Sequence, residues 1–463
     1  MPVIMWFRQD LRLTDNPALT VAADKGEVLP VYIRDPGEAI GSASKWWLHH
    51  SLTALAGDLG HLVLRSGDPA EILAALCAET GADSVVWNRC YDPYSIARDT
   101  ALKADLKDRG ISAQSYNAAL LAEPWEVETK SGTPFKVYSP FWRALSAREM
   151  PEPLPRPTLS TIDAPSETLA DWDLRPSQPN WAVDFQDLWT PGESGAWSKL
   201  ESFLESGLAG YAALRNRPDL PNVSRLSPHL HFGEISPRQI WARTRAENTP
   251  QRKHADKFLA EIGWREFSHH LLYHFPTLPT ENWKPAFNGY PWRDDHADLD
   301  AWQKGQTGYP IVDAGMRELW STGYMHNRVR MVVGSFLIKH LRLHWKHGLA
   351  WFHDTLLDAD AANNSASWQW VAGCGADAAP YFRIFNPMTQ GEKFDPDGAY
   401  VRKWCPELSR LPNKVLHAPF NAPAHVLAEA GVVLGETYPK PIVDHATARA
   451  AALAGYEEIK IAS

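Results

Sequence analysis

PVIMWF, at residues 2–7, is the first of four short apolar runs that decide the fold of the N-terminal part of the chain; the others are VLPVYI (28–33), LVLRS (62–66) and SVVWN (84–88). Stretches with helical periodicity lie between and after these runs, at 16–24, 44–59, 69–80 and 93–108. Strands that alternate with helices predict a parallel sheet, whose ligands bind at the carboxyl ends of the strands. No G-x-G-x-x-G follows the first run, so the dinucleotide-binding fingerprint is absent.

The rest of the chain divides into two further parts. Prolines cluster between residues 151 and 191, which predicts an extended connector with little regular structure. From about residue 196 apolar residues recur at three- and four-residue spacing, which predicts helices at 195–207, 236–248, 253–274, 310–322, 324–346 and 348–358. We therefore predict an α/β domain at 1–126, a Pro-rich connector at 127–195 and an all-helical domain at 196–463.

Composition excludes several classes of protein. The 463 residues are 44% hydrophobic and 22% charged, which is typical of a globular protein and not of a disordered or fibrous one. The four cysteines lie far apart with no C-x-x-C, so we expect neither disulfides nor a zinc ribbon. The longest apolar-looking stretch near the C-terminal half, 331–338, is too short to span a bilayer, and Arg8 interrupts any signal-peptide core. We expect a cytoplasmic monomer without membrane attachment.

The net charge of −9 argues against a general nucleic-acid binder, but positive charge is concentrated in two parts of the chain. Residues 324–346 contain no Asp or Glu and five basic residues, namely Arg328, Arg330, Lys339, Arg342 and Lys346. A second run, 238–257, holds six basic and two acidic residues. These runs predict a local polyanion site, with ordinary solvated helix faces as the alternative.

The segment EIGWREF places Glu261, Trp264 and Arg265 on one helical face. Two interpretations stay open. One is a core tryptophan beside an intrahelical ion pair, and the other is an aromatic platform beside a carboxylate and a guanidinium, suited to a nucleic-acid base. The same spacing puts Asn327, Arg330 and Met331 on a common face.

Two polar segments are candidate ligand sites. LLDADAANNSASWQW brings Asp358, Asp360 and Asn364 close in sequence, and these residues could hold Mg²⁺, cap a helix or hydrogen-bond to a heterocycle. No neighbouring Glu or His completes a metal shell, so we predict no metal. Ser224 and Ser227 precede a proline, which indicates an anion site or an ordinary helix cap.

Several long motifs together resemble the DNA photolyase/cryptochrome family: FRQDLRLTDNPAL, TGYPIVDAGMREL, GYMHNRVRM, NNSASWQW and DAAPYFRIFNPMTQGEKFD. The resemblance runs from about residue 3 to about residue 455, so we expect no signalling tail. It implies an N-terminal α/β domain, a connector and a helical domain that holds a U-shaped FAD.

The resemblance implies roles for individual residues in FAD binding. Phosphate and ribityl contacts match Tyr211, Ser224, Leu226 and Ser227. Arg265 borders the cavity together with Glu261, and the set around the isoalloxazine and adenine matches Arg330, Asp358, Asp360 and Asn364. Where the family often has Thr-Ser, this chain has Val223-Ser224, which removes one hydroxyl contact.

The resemblance also implies light-driven repair of cyclobutane pyrimidine dimers in UV-damaged DNA, by electron transfer from excited FADH⁻ to a dimer flipped out of the duplex. Trp264 and Trp370 match the aromatic walls of the dimer site, and Asn327, Arg328 and Met331 match its DNA contacts. The reaction itself is expected to involve Glu261, Asn364 and Met331. A tryptophan relay that photoreduces FAD matches Trp368, Trp345 and Trp292.

Two alternatives within the family are a cryptochrome-type blue-light photoreceptor and a (6-4) photolyase. Asn364 argues against the first, because plant cryptochromes typically carry Asp there, and Asn327-Arg328 with Met331 argues against the second. Residues 44–52 and 88–99 resemble the region of an antenna chromophore, with Asp92 where many relatives have Glu and an unusual Cys90. A folate such as methenyltetrahydrofolate is the first choice of antenna, a deazaflavin or flavin-like pigment is the second, and an empty pocket is the remaining alternative.

Overall fold

The computed structural model describes residues 1–246, 251–378 and 382–461. The chain forms two compact units. The first unit comprises Met1–Ala209, Ser224–Pro276 and Leu357–Ala362, and the second comprises Gly210–Val223, Thr277–Leu356 and Asn363–Ser463. The domain boundaries at residues 126 and 195 stay a prediction.

A parallel five-stranded sheet organises the N-terminal part of the first unit. Its strands are β1 Val3–Phe7, β2 Val28–Arg34, β3 Val63–Ser66, β4 Ser84–Asn88 and β5 Ser112–Tyr116, in the order β3-β2-β1-β4-β5. Val3 of the central strand lies opposite Val28 on one side and Ser84 on the other. The α/β prediction is confirmed, and all four predicted strands are present.

The fifth strand was not predicted. Its sequence, SAQSY, has no apolar run, and its residues are exposed or half-buried. It pairs only with β4, where Tyr116 lies opposite Asn88. An edge strand is paired on one side only and needs less apolar sequence than a central one, so its formation depends on the neighbouring strand.

The first helices begin within two residues of the predicted positions: α1 Pro17–Lys25, α2 Ser42–Leu59, α3 Pro69–Thr80 and α4 Pro93–Asp108. Three of them start with a capping side chain followed by proline. Asn16, Asp68 and Asp92 each accept a hydrogen bond from a backbone N–H of the first turn. These caps satisfy amides that the helix leaves without a partner, which explains the accurate boundaries.

The remaining helices, in chain order, are α5 Tyr138–Ser146, α6 Phe185–Leu188, α7 Glu193–Ser202, α8 Tyr211–Leu214, α9 Ser227–His231, α10 Pro237–Ala246, α11 Arg252–His274, α12 His296–Gln303, α13 Pro310–Thr322, α14 Asn327–Ser335, α15 Trp345–Thr355, α16 Ala361–Ala372, α17 Pro387–Phe394, α18 Ala399–Trp404, α19 Asn413–Leu416, α20 Ala424–Ala430 and α21 His445–Ile461. Single π-turns at Phe203–Gly207 and Phe336–His340 extend α7 and α14. The prediction of a helical C-terminal part is confirmed. No helix of the described residues is long and apolar enough to cross a membrane.

The structure adds a helix to one predicted region and corrects another. The predicted connector 127–195 contains α5, whose buried residues Tyr138, Phe141 and Leu145 recur at helical spacing. The helix predicted at 324–346 ends with the π-turn, because Arg342 adopts a left-handed backbone conformation with φ of 54°. A new helix, α15, then starts behind the capping side chain of His344, which accepts a hydrogen bond from the Lys346 N–H. The end of the predicted helix 236–248 lies outside the described residues.

Candidate functional site

An aromatic pair in the first unit includes the predicted platform residue Trp264 on α11. The ring of Tyr138, from α5, is stacked on it with centroids 3.7 Å apart and planes 8° from parallel. The Tyr138 hydroxyl donates to the carbonyl of Ala260, 2.5 Å away, which anchors the tyrosine on the same helix. A Cβ at Gly263 would lie 2.3 Å from Trp142, so only glycine allows this close packing. Trp264 is half-buried and supported from behind by a second ring.

The charged neighbours of Trp264 pair differently from the expected Glu261–Arg265 contact. Glu261 forms an ion pair with Lys257, one turn earlier, at 3.2 Å. Arg265 donates to the carbonyl of Ala119 at 2.8 Å and lies 3.2 Å from Glu266. The helix therefore contains an ion pair of Glu261 with Lys257 instead of Arg265, and the role of Trp264 as a platform for a base stays a prediction.

Residues 357–362 pack against α11 and carry the predicted acidic pair. The Asp360 carboxylate Oδ2 lies 3.4 Å from Nε2 of His269. Burial alone would raise the pKa of Asp360, but the charge and hydrogen bond of His269, together with the charges of His231 and Arg265, hold it well below its usual range. Asp358 is buried, and its carbonyl accepts from the Asp360 N–H at 2.7 Å. Asp360 is thus an ionised acceptor in a cationic environment.

The predicted phosphate loop leads into α9 in the same unit. Arg225 adopts a left-handed conformation with φ of 51°, and the Leu226 N–H donates to the Ser224 hydroxyl at 3.5 Å. Leu226 is buried, and Ser227 is the first residue of α9, before Pro228. The structure therefore places Ser224, Leu226 and Ser227 in one tight turn.

In the second unit α14 presents the predicted dimer contacts. The side chain of His326 caps this helix by accepting a hydrogen bond from the Arg328 N–H. Asn327 is exposed at the start of the helix, and Met331 is half-buried one turn later. Arg330 donates to the carbonyl of Met325 at 2.7 Å and lies over the ring of Tyr324. Arg330 is consequently held against the segment that precedes its own helix.

Two further arginines, Arg215 and Arg383, act electrostatically on Arg328, and we call the three residues the arginine cluster. The guanidinium of Arg328 donates to Oδ1 of Asn216 at 2.9 Å and stacks 4.5 Å from the ring centroid of Phe394. Burial first, and then the charges of Arg215 and Arg383, lower the pKa of Arg328. An anion bound beside Arg328 would offset the effect of burial and of these two charges on its guanidinium.

The two basic runs do not form the continuous positive faces that their sequences suggested. In the first run Lys339 is buried with its Nζ 3.4 Å from the ring centroid of Phe382, and Arg342 lies in the turn after the helix. In the second run Arg238 pairs with Asp15 and Arg243 with Glu201. The arginine cluster, in contrast, combines residues from separate segments of the chain.

Three further predicted residues lie in the second unit. Tyr211 is buried at the start of α8 with Arg215 over its ring. Asn364 on α16 is half-buried and donates to the Leu349 carbonyl at 3.1 Å. Trp370, two turns further along α16, is half-buried and donates to the carbonyl of Asp377.

The predicted relay tryptophans are also in the second unit. His344 lies between Trp345 and Trp292, with ring centroids 5.4 Å and 4.8 Å away. Trp345 is fully buried, and Trp292 is half-buried. Trp368 packs directly on Gly348 of α15, where a Cβ would lie 2.0 Å from the indole. Gly348 is one turn from Trp345, so α15 carries Trp345 and contacts Trp368, the two buried members of the set.

Four important neighbours were missed at the level of sequence: Tyr138, Arg215, Arg383 and His269. For His269 a signal was present, because it follows Arg265 by four residues on the same helix face. For the others no local signal exists, because each lies in a different segment from its partner. Among the described residues no group of three or more His, Cys, Asp or Glu side chains is arranged to hold a metal ion.

Two family models match the chain: "DNA photolyase" over residues 3–158 and "FAD binding domain of DNA photolyase" over residues 258–458. A deoxyribodipyrimidine photo-lyase of Agrobacterium fabrum is 54% identical over 99% of this chain and 98% of its own length. Cryptochrome-2 of Arabidopsis thaliana is 40% identical over 96% of this chain and 77% of its own.

A solved structure extends this similarity to three dimensions. The crystal structure of a bacterial class III photolyase from Agrobacterium tumefaciens superposes with a TM-score of 0.96 and 53% identity, covering 99% of this chain and 98% of that one. Sequence identity over nearly the full length therefore agrees with the motifs and with the fold. The chain belongs to the DNA photolyase/cryptochrome family.

Proposed function

We propose that the protein repairs cyclobutane pyrimidine dimers in DNA with blue light and a reduced FAD. Relatives named as photolyases and as cryptochromes both match the chain. Fold and cofactor are common to the two groups, so the residues that would contact DNA must distinguish them.

In the first unit the donor set suits FAD. Ionised Asp360 accepts from N–H or O–H groups such as those of the flavin ring and ribose, and Arg265 together with Ser224 and Ser227 complements phosphates and hydroxyls. In the second unit we assign Tyr211, Arg330 and Asn364 to the same cofactor. When bound, reduced FAD supplies the photoexcited electron that opens the dimer, and the protein supplies orientation and electrostatics.

The arginine cluster is the observation that carries the repair function. Arg328 is already oriented by Asn216 and Phe394, and its neighbours Arg215 and Arg383 add to its charge. We assign this cluster to DNA phosphates. A phosphate contact at the pre-oriented Arg328 serves a protein that binds DNA, whereas a photoreceptor that binds no DNA does not need it.

We assign contacts with the dimer itself to aromatic and polar residues of each unit. Trp264, supported by Tyr138, offers one ring face for stacking on an extruded base, with Glu261 one turn earlier as a hydrogen-bond partner. In the second unit Asn327 and Met331 on α14, and Trp370 on α16, complete the proposed set.

The decisive experiment illuminates the flavin-reduced protein with oligonucleotides that carry one defined lesion. Restoration of the pyrimidines in a cyclobutane-dimer oligonucleotide, with a (6-4) oligonucleotide left unchanged, supports the proposal. Restoration of the (6-4) lesion alone supports a (6-4) photolyase. Intact lesions in both supports the cryptochrome-type photoreceptor and contradicts repair.

For the antenna we propose a folate, with a deazaflavin or flavin-like pigment as the alternative. Near the predicted region Arg98 pairs with Asp35 at 2.8 Å and with Glu38 at 2.6 Å, and the Tyr94 hydroxyl donates to Asp35. Asp35 directly follows β2, at the carboxyl ends of the parallel strands, where α/β proteins bind ligands. Fluorescence spectra of the pigments released by denaturing the protein distinguish a folate from a flavin and from a deazaflavin.

A further inference from the structure

The three tryptophans of the predicted relay differ in what their indole N–H groups contact. The N–H of Trp345 donates to Oδ1 of Asn282 at 2.7 Å, which is a short hydrogen bond. Trp368 is also buried, but its N–H has no acceptor among the described residues. The N–H of Trp292 donates to the carbonyl of Phe287 over a longer distance, 3.3 Å. Two members of the relay, Trp345 and Trp368, thus differ by one strong hydrogen bond.

The Asn282 side chain is fixed in the orientation that this contact needs. An indole N–H can only donate, so the amide presents its oxygen to Trp345. Its Nδ2 donates to Oδ1 of Asn288 at 2.8 Å, which agrees with this orientation. The side chain of Gln369 on α16 hydrogen-bonds to the backbone on both sides of Asn282, at 2.8 and 2.7 Å. The acceptor of Trp345 is therefore held by the same helix that carries Trp368.

The hydrogen bond gains importance when an indole carries a positive charge. In the predicted relay Trp368 gives one electron to the photoexcited FAD and regains one from Trp345. One positive charge thereby moves between the two indoles without a proton, and a soluble thiol finally replaces the electron through Trp292. A hydrogen bond to a charged group contributes more than a neutral one, because the acceptor dipole then interacts with a full charge. Asn282 therefore stabilises positive charge on Trp345, and no acceptor among the described residues does so at the Trp368 N–H.

Two basic residues lie close enough to Trp345 to act in the opposite direction. The Nζ of Lys346 is 5.9 Å from the ring centroid of Trp345, but this lysine is exposed, so water and salt screen its charge. The ring of His344 lies 5.4 Å from that of Trp345. Burial first, and then the charges of Lys346 and His347, lower the pKa of His344 to about 4, so this ring is neutral at neutral pH. The short contact with Asn282 therefore decides the local effect.

We propose that Asn282 is a positioning residue of the relay: its amide oxygen draws positive charge from Trp368 to Trp345 and so slows the return of the electron from FAD to Trp368. The inference rests on the proposed function, which assigns FAD to this chain, and on the predicted relay. The difference between a charged and a neutral hydrogen bond corresponds to a shift of the charge toward Trp345 of about fivefold to tenfold.

The first test examines the hydrogen bond without light. In proton–nitrogen-15 NMR of the flavin-loaded protein, the indole signals of Trp345 and Trp368 are assigned by their loss in Trp345→Phe and Trp368→Phe. We expect the Trp345 proton at the low field typical of a hydrogen-bonded N–H, and we expect Asn282→Leu to move it to higher field. A Trp345 signal that Asn282→Leu leaves in place overturns the inference, as does a Trp368 signal at equally low field.

The second test measures the return of the electron by flash photolysis in a Trp292→Phe background, where the charge moves no further than Trp345. The return rate is then proportional to the fraction of the charge on Trp368. Asn282→Leu should speed the return about fivefold to tenfold. Asn282→Asp should slow it, because the acceptor then carries a negative charge. Asn421→Leu, the same substitution at an exposed asparagine of the second unit, should leave the rate unchanged.

The outcomes separate the inference from the function on which it rests. A return rate that Asn282→Leu leaves unchanged overturns the inference while FAD binding stands. Asn282→Asp fits the same space, so its return rate decides the test where Asn282→Leu does not fold. A return rate that Trp345→Phe leaves unchanged removes Trp345 from the relay and the inference with it. A protein that takes up no FAD contradicts the proposed function as well.

Discussion

Replacing Arg328 with alanine tests the assignment of the arginine cluster to DNA. The side chain is held by Asn216 and by the ring of Phe394, so little ordering is required when a phosphate binds. A hydrogen bond to a charged group contributes about 1.5–3 kcal/mol. Arg328→Ala should therefore weaken binding of dimer-containing DNA roughly 10- to 150-fold at low salt.

The salt dependence gives a second and independent magnitude. Each phosphate contact on duplex DNA contributes a slope of about −0.9 to log K against log salt, which is about 3.5-fold in affinity between about 50 and about 200 mM. Arg328→Ala removes one such contact, so its loss of affinity over that range should be about 3.5-fold smaller than that of the parent.

The assay is fluorescence anisotropy with a labelled dimer-containing duplex at several salt concentrations, with flavin content measured in parallel. Arg328→Lys should restore part of the salt slope but not the full affinity, because lysine lacks the planar fork that stacks on Phe394. Arg410→Ala, an exposed arginine outside the cluster, is the matched control for loss of one charge. An unchanged salt slope in Arg328→Ala, or an equal effect in Arg410→Ala, would refute the reasoning.

Three further predictions follow from other contacts. Trp264→Ala should weaken binding of dimer DNA by about 1–3 kcal/mol, the usual contribution of base–aromatic stacking. Glu261→Gln should bind this DNA nearly normally and repair fewer dimers per absorbed photon. Parental affinity in Trp264→Ala would exclude the platform role. Trp368→Phe should retain FAD and repair by chemically reduced protein but slow the photoreduction of oxidised FAD, and photoreduction at the parental rate would exclude Trp368 from the relay. Burial lowers the pKa of Lys339 from the ordinary value of 10.5 to about 7. Between these two pH values the lysine is protonated in the unfolded chain but not in the folded protein. The contribution of Lys339 to the free energy of unfolding therefore rises by about 1.4 kcal/mol per pH unit in this range. Lys339→Met should lose this contribution, which denaturant unfolding at two pH values above neutrality measures as a change of that size in the difference from the parent; a difference that is independent of pH would contradict it.

Helices and strands could be predicted from the sequence where neighbouring residues determine them. The boundaries of α3, α4 and α13 agree with the prediction because their apolar periodicity and first-turn prolines lie in neighbouring residues. β1, β2 and β4 were predicted because a central strand is buried on both faces and must be apolar throughout. The family motifs belong to the same category, since they are contiguous strings of residues.

Tertiary structure alone decided which side chains act together. The arginine cluster joins residues 215, 328 and 383, and α5 brings Tyr138 to a tryptophan more than a hundred positions later in the chain. Lys339 has the same charge in the sequence as Arg328, yet one is buried on Phe382 and the other belongs to the cluster. Charge and periodicity are local properties of a sequence, whereas burial and the partner of each charge depend on which distant segments the fold packs against it.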